Sequence, residues 1–202
     1  MKIICIGKNY ADHALEMGGQ APKQPLIFIK PSTALLENGK PFYYPSFSDE
    51  IHYEVELVFR FGRPGKSIPT SQVMDYIDAV SVGIDFTARD LQNECKQKGH
   101  PWEIAKSFDQ SAAVGTWSGI SPIEALELSF HLDINGSVVQ QGQAKDMIHS
   151  VPALVSYTTQ RFTVEKGDLL FTGTPAGVGP IRRGDVLQGY LGEENLLITD
   201  IK

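Results

Sequence analysis

Two glutamates separated by one residue, in Tyr53-Glu54-Val55-Glu56-Leu57, form the densest local concentration of possible chemistry in the chain. Side chains alternate along a strand, so Glu54 and Glu56 project to one side while Val55 and Leu57 face the other. Like charges that close repel on a half-buried strand. A hard divalent cation removes the conflict, because Mg2+ and Mn2+ favour carboxylate oxygens and water. An exposed acidic strand face would leave the same letters. Asp85 offers a third carboxylate. It ends Val80-Ser81-Val82-Gly83-Ile84, a run apolar enough to be buried on both faces, where an unpartnered carboxylate is costly. Asp85 is therefore a metal ligand or the N-cap of a helix starting near Thr87.

Lys106 stands between Pro101-Trp102-Glu103-Ile104-Ala105 and Ser107-Phe108-Asp109. In that company it is either a fixed positive charge for a substrate anion or developing oxyanion, or a surface lysine. His13 and Glu16 share one face of a short helix at three-residue spacing. A carboxylate beside an imidazole fixes its tautomer and raises its basicity, the pairing that activates water; a solvated face carrying Asp12, His13 and Glu16 is the plainer account. His52, His100, His131 and His149 show no metal-ligand spacing, although His52 could line the strand face of Glu54. Phe171-Thr172-Gly173-Thr174-Pro175-Ala176-Gly177-Val178-Gly179 allows close backbone approach to a ligand, with the Thr174 hydroxyl as donor. It lacks the Gly-Lys-Ser/Thr ending of a phosphate loop.

The elements that must hold these groups are mostly strands. Lys2 to Gly7 reads as a buried strand, Leu26 to Lys30 as a second, and Ile51 to Phe61 as a long one closed by Gly62-Arg63-Pro64-Gly65. Asn9 can cap a helix from about Tyr10 to Met17, which Gly18-Gly19 ends. Thr70 or Ser71 can cap a helix carrying Val73, Tyr76, Ile77 and Val80. Ala79 to Asp85 enters a strand, and Thr87 to Lys98 reads as a polar helix. Asn135-Gly136 is a hairpin signal, and Ser150 with Pro152 opens a helix to about Gln160. Strands outnumber helices, so one α+β domain on a mixed, mostly antiparallel sheet or roll is expected over residues 1–202.

A chain of 202 residues holds one substantial core or at most two small domains. The net charge is −6 and no basic run occurs, which leaves no phosphate footprint for nucleic acid. Apolar stretches such as Leu26 to Ile29 fall far short of the roughly 20 residues of a membrane span. Cys5 and Cys95 suggest neither a disulfide framework nor a thiolate metal site. The N-terminal run turns polar too quickly for a secretory signal, so a cytoplasmic location is expected.

Four segments together resemble the fumarylacetoacetate hydrolase family, in its compact single-domain acylpyruvase and oxaloacetate-decarboxylase type. They are Gly7-Lys8-Asn9-Tyr10-Ala11-Asp12-His13, Ile51 to Leu57, Asp85-Phe86-Thr87-Ala88-Arg89-Asp90-Leu91-Gln92, and Phe171 to Pro175, joined by Lys106-Ser107-Phe108-Asp109. The resemblance implies a β-roll of the fumarylacetoacetase C-terminal-domain type, a homodimer, and Mg2+ or Mn2+ held by Glu54, Glu56 and Asp85. It further implies a His13–Glu16 dyad on a mobile lid helix over about 9–20, and substrate contacts from Lys106, Lys8, Gln92 and Thr174. Lys8 stands where many relatives carry Arg, which keeps the charge and removes the planar fork. The extra N-terminal domain of fumarylacetoacetase is not expected, which argues against that substrate.

The chemistry so implied is hydrolysis of a carbon–carbon bond in a β-diketo acid such as acetylpyruvate or fumarylpyruvate. His13 would deprotonate the attacking water and Lys106 would stabilise the oxyanion, with the ion as Lewis acid. Oxaloacetate decarboxylation and isomerisation or hydration of unsaturated dioic keto acids are the enzymatic rivals. A keto-acid-binding protein is the non-enzymatic one, and it would have no use for a water-activating dyad. Glu56→Ala is expected to remove most Mg2+ or Mn2+ affinity while the fold persists. Equilibrium dialysis with circular dichroism checks this, and an unchanged affinity would place the ion elsewhere.

Overall fold

Runs of β-branched and aromatic residues pair into three sheets in the computed structural model of the chain, which describes residues 1–119 and 127–202. Strands β1 (Ile3–Gly7), β2 (Leu26–Lys30), β3 (Leu35–Glu37), β5 (Val55–Phe61), β6 (Ile77–Asp85), β8 (Ala112–Val114) and β11 (Leu169–Phe171) form the largest sheet, ordered β2-β1-β11-β5-β6-β8-β3. In a small sheet, β4 (Ile51–Tyr53) lies between β12 (Gly179–Pro180) and β7 (Thr87–Ala88). The third sheet runs β10 (Ser137–Gln143), β9 (Ser129–Ile134), β13 (Val186–Leu191), β14 (Glu194–Asp200). Among the described strands only β1–β11 and β3–β8 pair in parallel. Helices are short: α1 (Ala11–Glu16), α2 (Arg89–Lys98), α3 (Glu103–Lys106) and α4 (Val151–Thr159). The architecture is the mixed, mostly antiparallel α+β one expected. No helix among the described residues is long and apolar enough to cross a membrane.

Both faces of β5 and β6 are buried. Val55, Leu57, Phe59, Val82 and Ile84 pack into the main core with Phe42, Phe86 and Phe130. Val58 faces the other way, into a cluster with Ile3, Cys5, Ala112 and Phe171. The half-buried strand expected around Glu54 and Glu56 is thus a fully enclosed one, and any carboxylate in it needs a partner.

The run from Ile51 to Phe61 is two strands, not one. The break falls at Glu54, where β4 leaves for the small sheet and β5 stays in the large one. Asp85 N donates to Glu54 O across the break at 2.8 Å, so the corner is held by the segment that carries the third carboxylate. The helical spacing at Val73 to Val80 yields only a 3-10 turn, Thr70–Asp75. Ile77 and Val80 start β6 instead, because pairing with β5 outweighs a weak local periodicity. Asp85 caps nothing: α2 begins at Arg89 after Ala88, without a side-chain cap. Nor does Asn9 cap α1. Its amide donates to His149 O at 3.0 Å and Thr172 O at 2.8 Å, tying the end of β1 to the loop after β11. Asn135 and Gly136 both take positive φ, 53° and 81°, as the β9–β10 hairpin requires.

Gly83 is the position of β6 that lies opposite Glu56. A Cβ there would meet Val58 Cγ2 at 2.6 Å, Ala113 O at 2.8 Å and Phe171 Cε1 at 2.8 Å, and a backbone oxygen between two strands cannot swing away. Gly83→Ala is expected to destabilise the fold by about 3 kcal/mol, the upper range for overpacking. Denaturant unfolding measures it, and a loss below about 0.5 kcal/mol would show that the sheet gives way freely.

Candidate active site

The strand break delivers Glu54, the interior of β5 delivers Glu56, and the last residue of β6 delivers Asp85. One ligand oxygen from each lies within 4.8 Å of the others, and all three residues are buried. Glu54 directly precedes β5, at the corner that Asp85 N holds, and lies two residues from Glu56. Three buried cations face the cluster. Lys106 Nζ donates to Glu54 Oε2 at 2.8 Å, Asp85 Oδ2 at 2.7 Å and Thr87 Oγ1 at 2.6 Å. Arg89 donates to Glu54 Oε1 at 2.5 Å and to Gln92 Oε1 at 2.5 Å. Lys30 has no exposed surface; it donates to Ser111 O at 2.8 Å and Ser111 Oγ at 3.0 Å, and also to Lys106 O. Its Nζ stands 2.7 Å from Asp85 Oδ1. That is an ion-pair contact off the hydrogen-bonding direction, so Oδ1 has no hydrogen-bond partner among the described residues.

Lys30 and Arg89 are absent from the residues expected by sequence. The signal was present, since Lys30 ends the apolar strand Leu26–Ile29 and Arg89 follows the buried run closed by Asp85. Each is a charge next to an enclosed segment, the same argument that singles out Asp85.

The three acids are not equivalent. Burial disfavours ionisation of Glu54, but Lys106 and then Arg89 outweigh it and hold the carboxyl well below the usual carboxylate range. Burial and the neighbouring Asp85 charge push Glu56 well above its ordinary value, with one hydrogen bond received from Gly173 N at 2.6 Å. Glu56 therefore lacks the cation that the other two possess, and Asp85 Oδ1 has lone pairs to spare. A hard divalent ion supplies what both lack, so Glu54, Glu56 and Asp85 fit Mg2+ or Mn2+. For Lys106, burial alone would lower the ammonium; Asp85 and Glu54 overcome this and raise it. It is a permanent cation, and the surface-lysine alternative fails.

Helix α1 covers the cluster. His13 Nδ1 lies 3.1 Å from Glu16 Oε2, and both Glu16 oxygens accept from Gly177 N, at 3.1 and 3.3 Å. Tyr10, His13 and Ala14 are buried and anchor the helix, whereas Leu15 is 68% exposed. Tyr10 also bridges to Met147, and Ile148 N donates to Asn9 O at 2.8 Å. Burial lowers the His13 imidazole from its ordinary value, and Glu54 and Glu16 counter this only in part, which favours the neutral ring. Lys8, Gln92 and Thr174 line one cavity with His13, Lys106 and Lys96. Thr174 Oγ1 accepts from Gln140 Nε2 at 2.9 Å, which leaves its hydroxyl hydrogen to donate. His52 stays outside, 2.9 Å from Glu50 and 3.5 Å from Arg89 Nε.

In an NMR titration the His13 imidazole is expected to protonate below pH 6.5, and Glu16→Gln should lower that midpoint further, because Glu16 favours the charged ring. A reaction that uses the neutral ring then keeps its rate down to that midpoint and loses it as pH falls through it. A midpoint above about 7 would mean a solvated helix face and no buried dyad.

The fumarylacetoacetate (FAA) hydrolase C-terminal family matches residues 2–196. Mitochondrial oxaloacetate tautomerase FAHD1 of Mus musculus is 43% identical over 190 residues, 92% of this chain and 85% of its own length. A fumarylacetoacetate hydrolase family protein from Yersinia pestis CO92 superposes with a TM-score of 0.95 at 39% identity, covering 100% of this chain and 93% of that one. The fumarylpyruvate hydrolase of Pseudomonas aeruginosa, solved with Mn2+ and pyruvate, gives 0.93 at 36% identity, over 100% of this chain and 89% of that one. With the fold, the acid cluster and matches that span nearly the whole length in agreement, this chain belongs to the fumarylacetoacetate hydrolase family.

Proposed function

We propose that this chain is a divalent-metal enzyme that interconverts the enol and keto forms of oxaloacetate. One observation carries the reading: a buried imidazole, held by Glu16, opens on the same cavity as Lys106, beside the three-carboxylate cluster. A 1,3-proton shift needs a base of near-neutral pKa and a cation to steady the oxygen that gains charge. Relatives named for oxaloacetate tautomerisation, matching 92% of the chain, support it.

Held by Glu54, Glu56 and Asp85, Mg2+ or Mn2+ would supply Lewis acidity at the 2-oxo oxygen. With Nδ1–H directed at Glu16, His13 keeps its Nε2 lone pair free. In the keto-to-enol direction Nε2 takes the C3 proton, the C2–C3 bond gains double-bond character, and the imidazolium delivers that proton to the C2 oxygen. The reverse sequence returns the keto acid. Lys106 steadies the oxygen while it is negative, and the Gln92 amide and Thr174 hydroxyl orient the substrate. Helix α1 is the lid that admits substrate and then excludes water.

Hydrolysis of acylpyruvates is the second reading, favoured by the same His13–Glu16 contact, which suits activation of a water as well as removal of a carbon-bound proton. Attack at the distal carbonyl would break the C3–C4 bond and release pyruvate with a carboxylic acid. Mg2+-loaded protein should be assayed in parallel for decay of oxaloacetate enol absorbance, pyruvate release from oxaloacetate, and acetylpyruvate cleavage. Enol decay should exceed the buffer rate, disappear with chelator, and fall roughly 10²–10⁴-fold in His13→Ala. Enol decay at the buffer rate alongside rapid acetylpyruvate cleavage would replace the first reading by the second. Inertness towards both would sink the enzymatic assignment.

A further inference from the structure

Three of the cations around the acid cluster are committed: Lys30 to Asp85, Arg89 to Glu54, Lys106 to both. Two more line the same cavity and are not. Lys96 lies on the face of α2 that also carries Arg89 and Gln92, at three- and seven-residue spacing from Arg89. Lys8 follows β1 in a left-handed conformation, φ 57°, and its Nζ lies across the lid's end, where a Cβ on Gly19 would meet it at 2.7 Å. Among the described residues neither ammonium has a carboxylate within ion-pair distance; the neighbour recorded for Lys96 Nζ is the Trp102 ring, 5.9 Å to its centroid.

Ordinary surface lysines turn their ammonium into water, away from other cations. Lys96 is half-buried, and burial, then Arg89 and Lys8, bring it down to about 8. Four cationic side chains, Lys8, Arg89, Lys96 and Lys106, line a cavity that holds two carboxylates, Glu54 and Asp85. Two positive charges are therefore unmatched even before any metal is bound, and a metal adds to the excess. Holding like charges together in a half-enclosed site costs free energy that an arriving anion recovers. Point-charge ammoniums suit this task, since they accept a carboxylate at a range of angles that a planar guanidinium fork would not.

We propose that Lys8 and Lys96 form a clamp for the carboxylate at the far end of the substrate, which makes the site selective for dianionic 2-oxo acids over monoanionic ones. The inference rests on the proposed oxo-acid function and names the substrate class. It separates oxaloacetate and fumarylpyruvate, which carry a second carboxylate, from acetylpyruvate, which does not.

Calorimetric titration of the metal-loaded full chain tests the clamp without turnover, using 2-oxoglutarate as the dianion and 2-oxobutyrate as the monoanion. Wild-type protein should bind the dianion more tightly. Lys96→Met should weaken that binding about 10- to 100-fold, the worth of a charge-assisted contact, while 2-oxobutyrate changes by no more than about twofold. Lys96→Arg should restore part of the difference, and Lys8→Met should act in the same direction. In steady state Lys96→Met should raise KM for oxaloacetate with kcat nearly unchanged, as expected for lost ground-state binding. Equal weakening of both ligands, or no change in either, would overturn the clamp. Preserved discrimination between the two ligands in a protein that turns over no oxo acid would leave the clamp standing and remove the proposed function instead.

Discussion

Glu54, Glu56 and Asp85 lie in and beside a sheet buried on both faces, where an ionised carboxylate without a partner costs several kcal/mol. Lys30, Arg89 and Lys106 come from β2, α2 and α3 to meet them, and each is nearly or wholly enclosed. Removing one member of such a set leaves an uncompensated charge, so the placement of these three elements is bound to that of β5 and β6. Glu56 is the acid left without a cation of its own. Burial and the Asp85 charge push its carboxyl up, and a divalent ion entering there would displace the proton and supply the missing positive charge.

The carboxylates and the His13–Glu16 pair are carried by elements of different kinds. The carboxylates ride on paired strands in which even a methyl at Gly83 has no room. His13 and Glu16 ride on a six-residue helix held at its edges by Tyr10, Asn9 and the Gly177 amide. A helix that short has little stability of its own, and Leu15 contributes no burial. If α1 acts as the proposed lid, an acid cluster on paired strands beneath His13 would suit proton transfer that must exclude bulk water and still release product.

Electrostatics also divides the residues that line the cavity: Arg89 and Lys106 are paired with Glu54 and Asp85, while Lys8 and Lys96 have no such partner among the described residues. A substrate with one oxo-acid end and one further carboxylate would meet the metal-ligand set with the first and the unmatched ammoniums with the second. Under the proposed function and clamp, His13, Glu16 and Lys106 would carry the reaction type and Lys8 and Lys96 the substrate class, so closely similar scaffolds could serve different oxo acids.

Much of this was legible from residue order. Glu54, Glu56 and Asp85 stand out because carboxylates interrupt apolar strand-forming runs, and His13 and Glu16 because three-residue spacing places them together on any helix. Strand content, the Asn135-Gly136 hairpin and the glycine-rich turn at Gly173 are local matters of backbone preference and periodicity. The partners were not legible, because they are brought together across long stretches of chain: Lys106 reaches Glu54 over 52 residues, and Asn9 reaches Thr172 over 163. Nothing local marks Glu54 as the corner between two sheets. Lys30 and Lys106 have the same side chain and similar apolar company, yet one is fully tied to backbone and acid while the other bridges two carboxylates facing the cavity. Local propensity fixes which residues can carry charge into a strand; which opposite charge meets it is decided by the packing of distant elements, because burial leaves each of those charges no solvent to turn to.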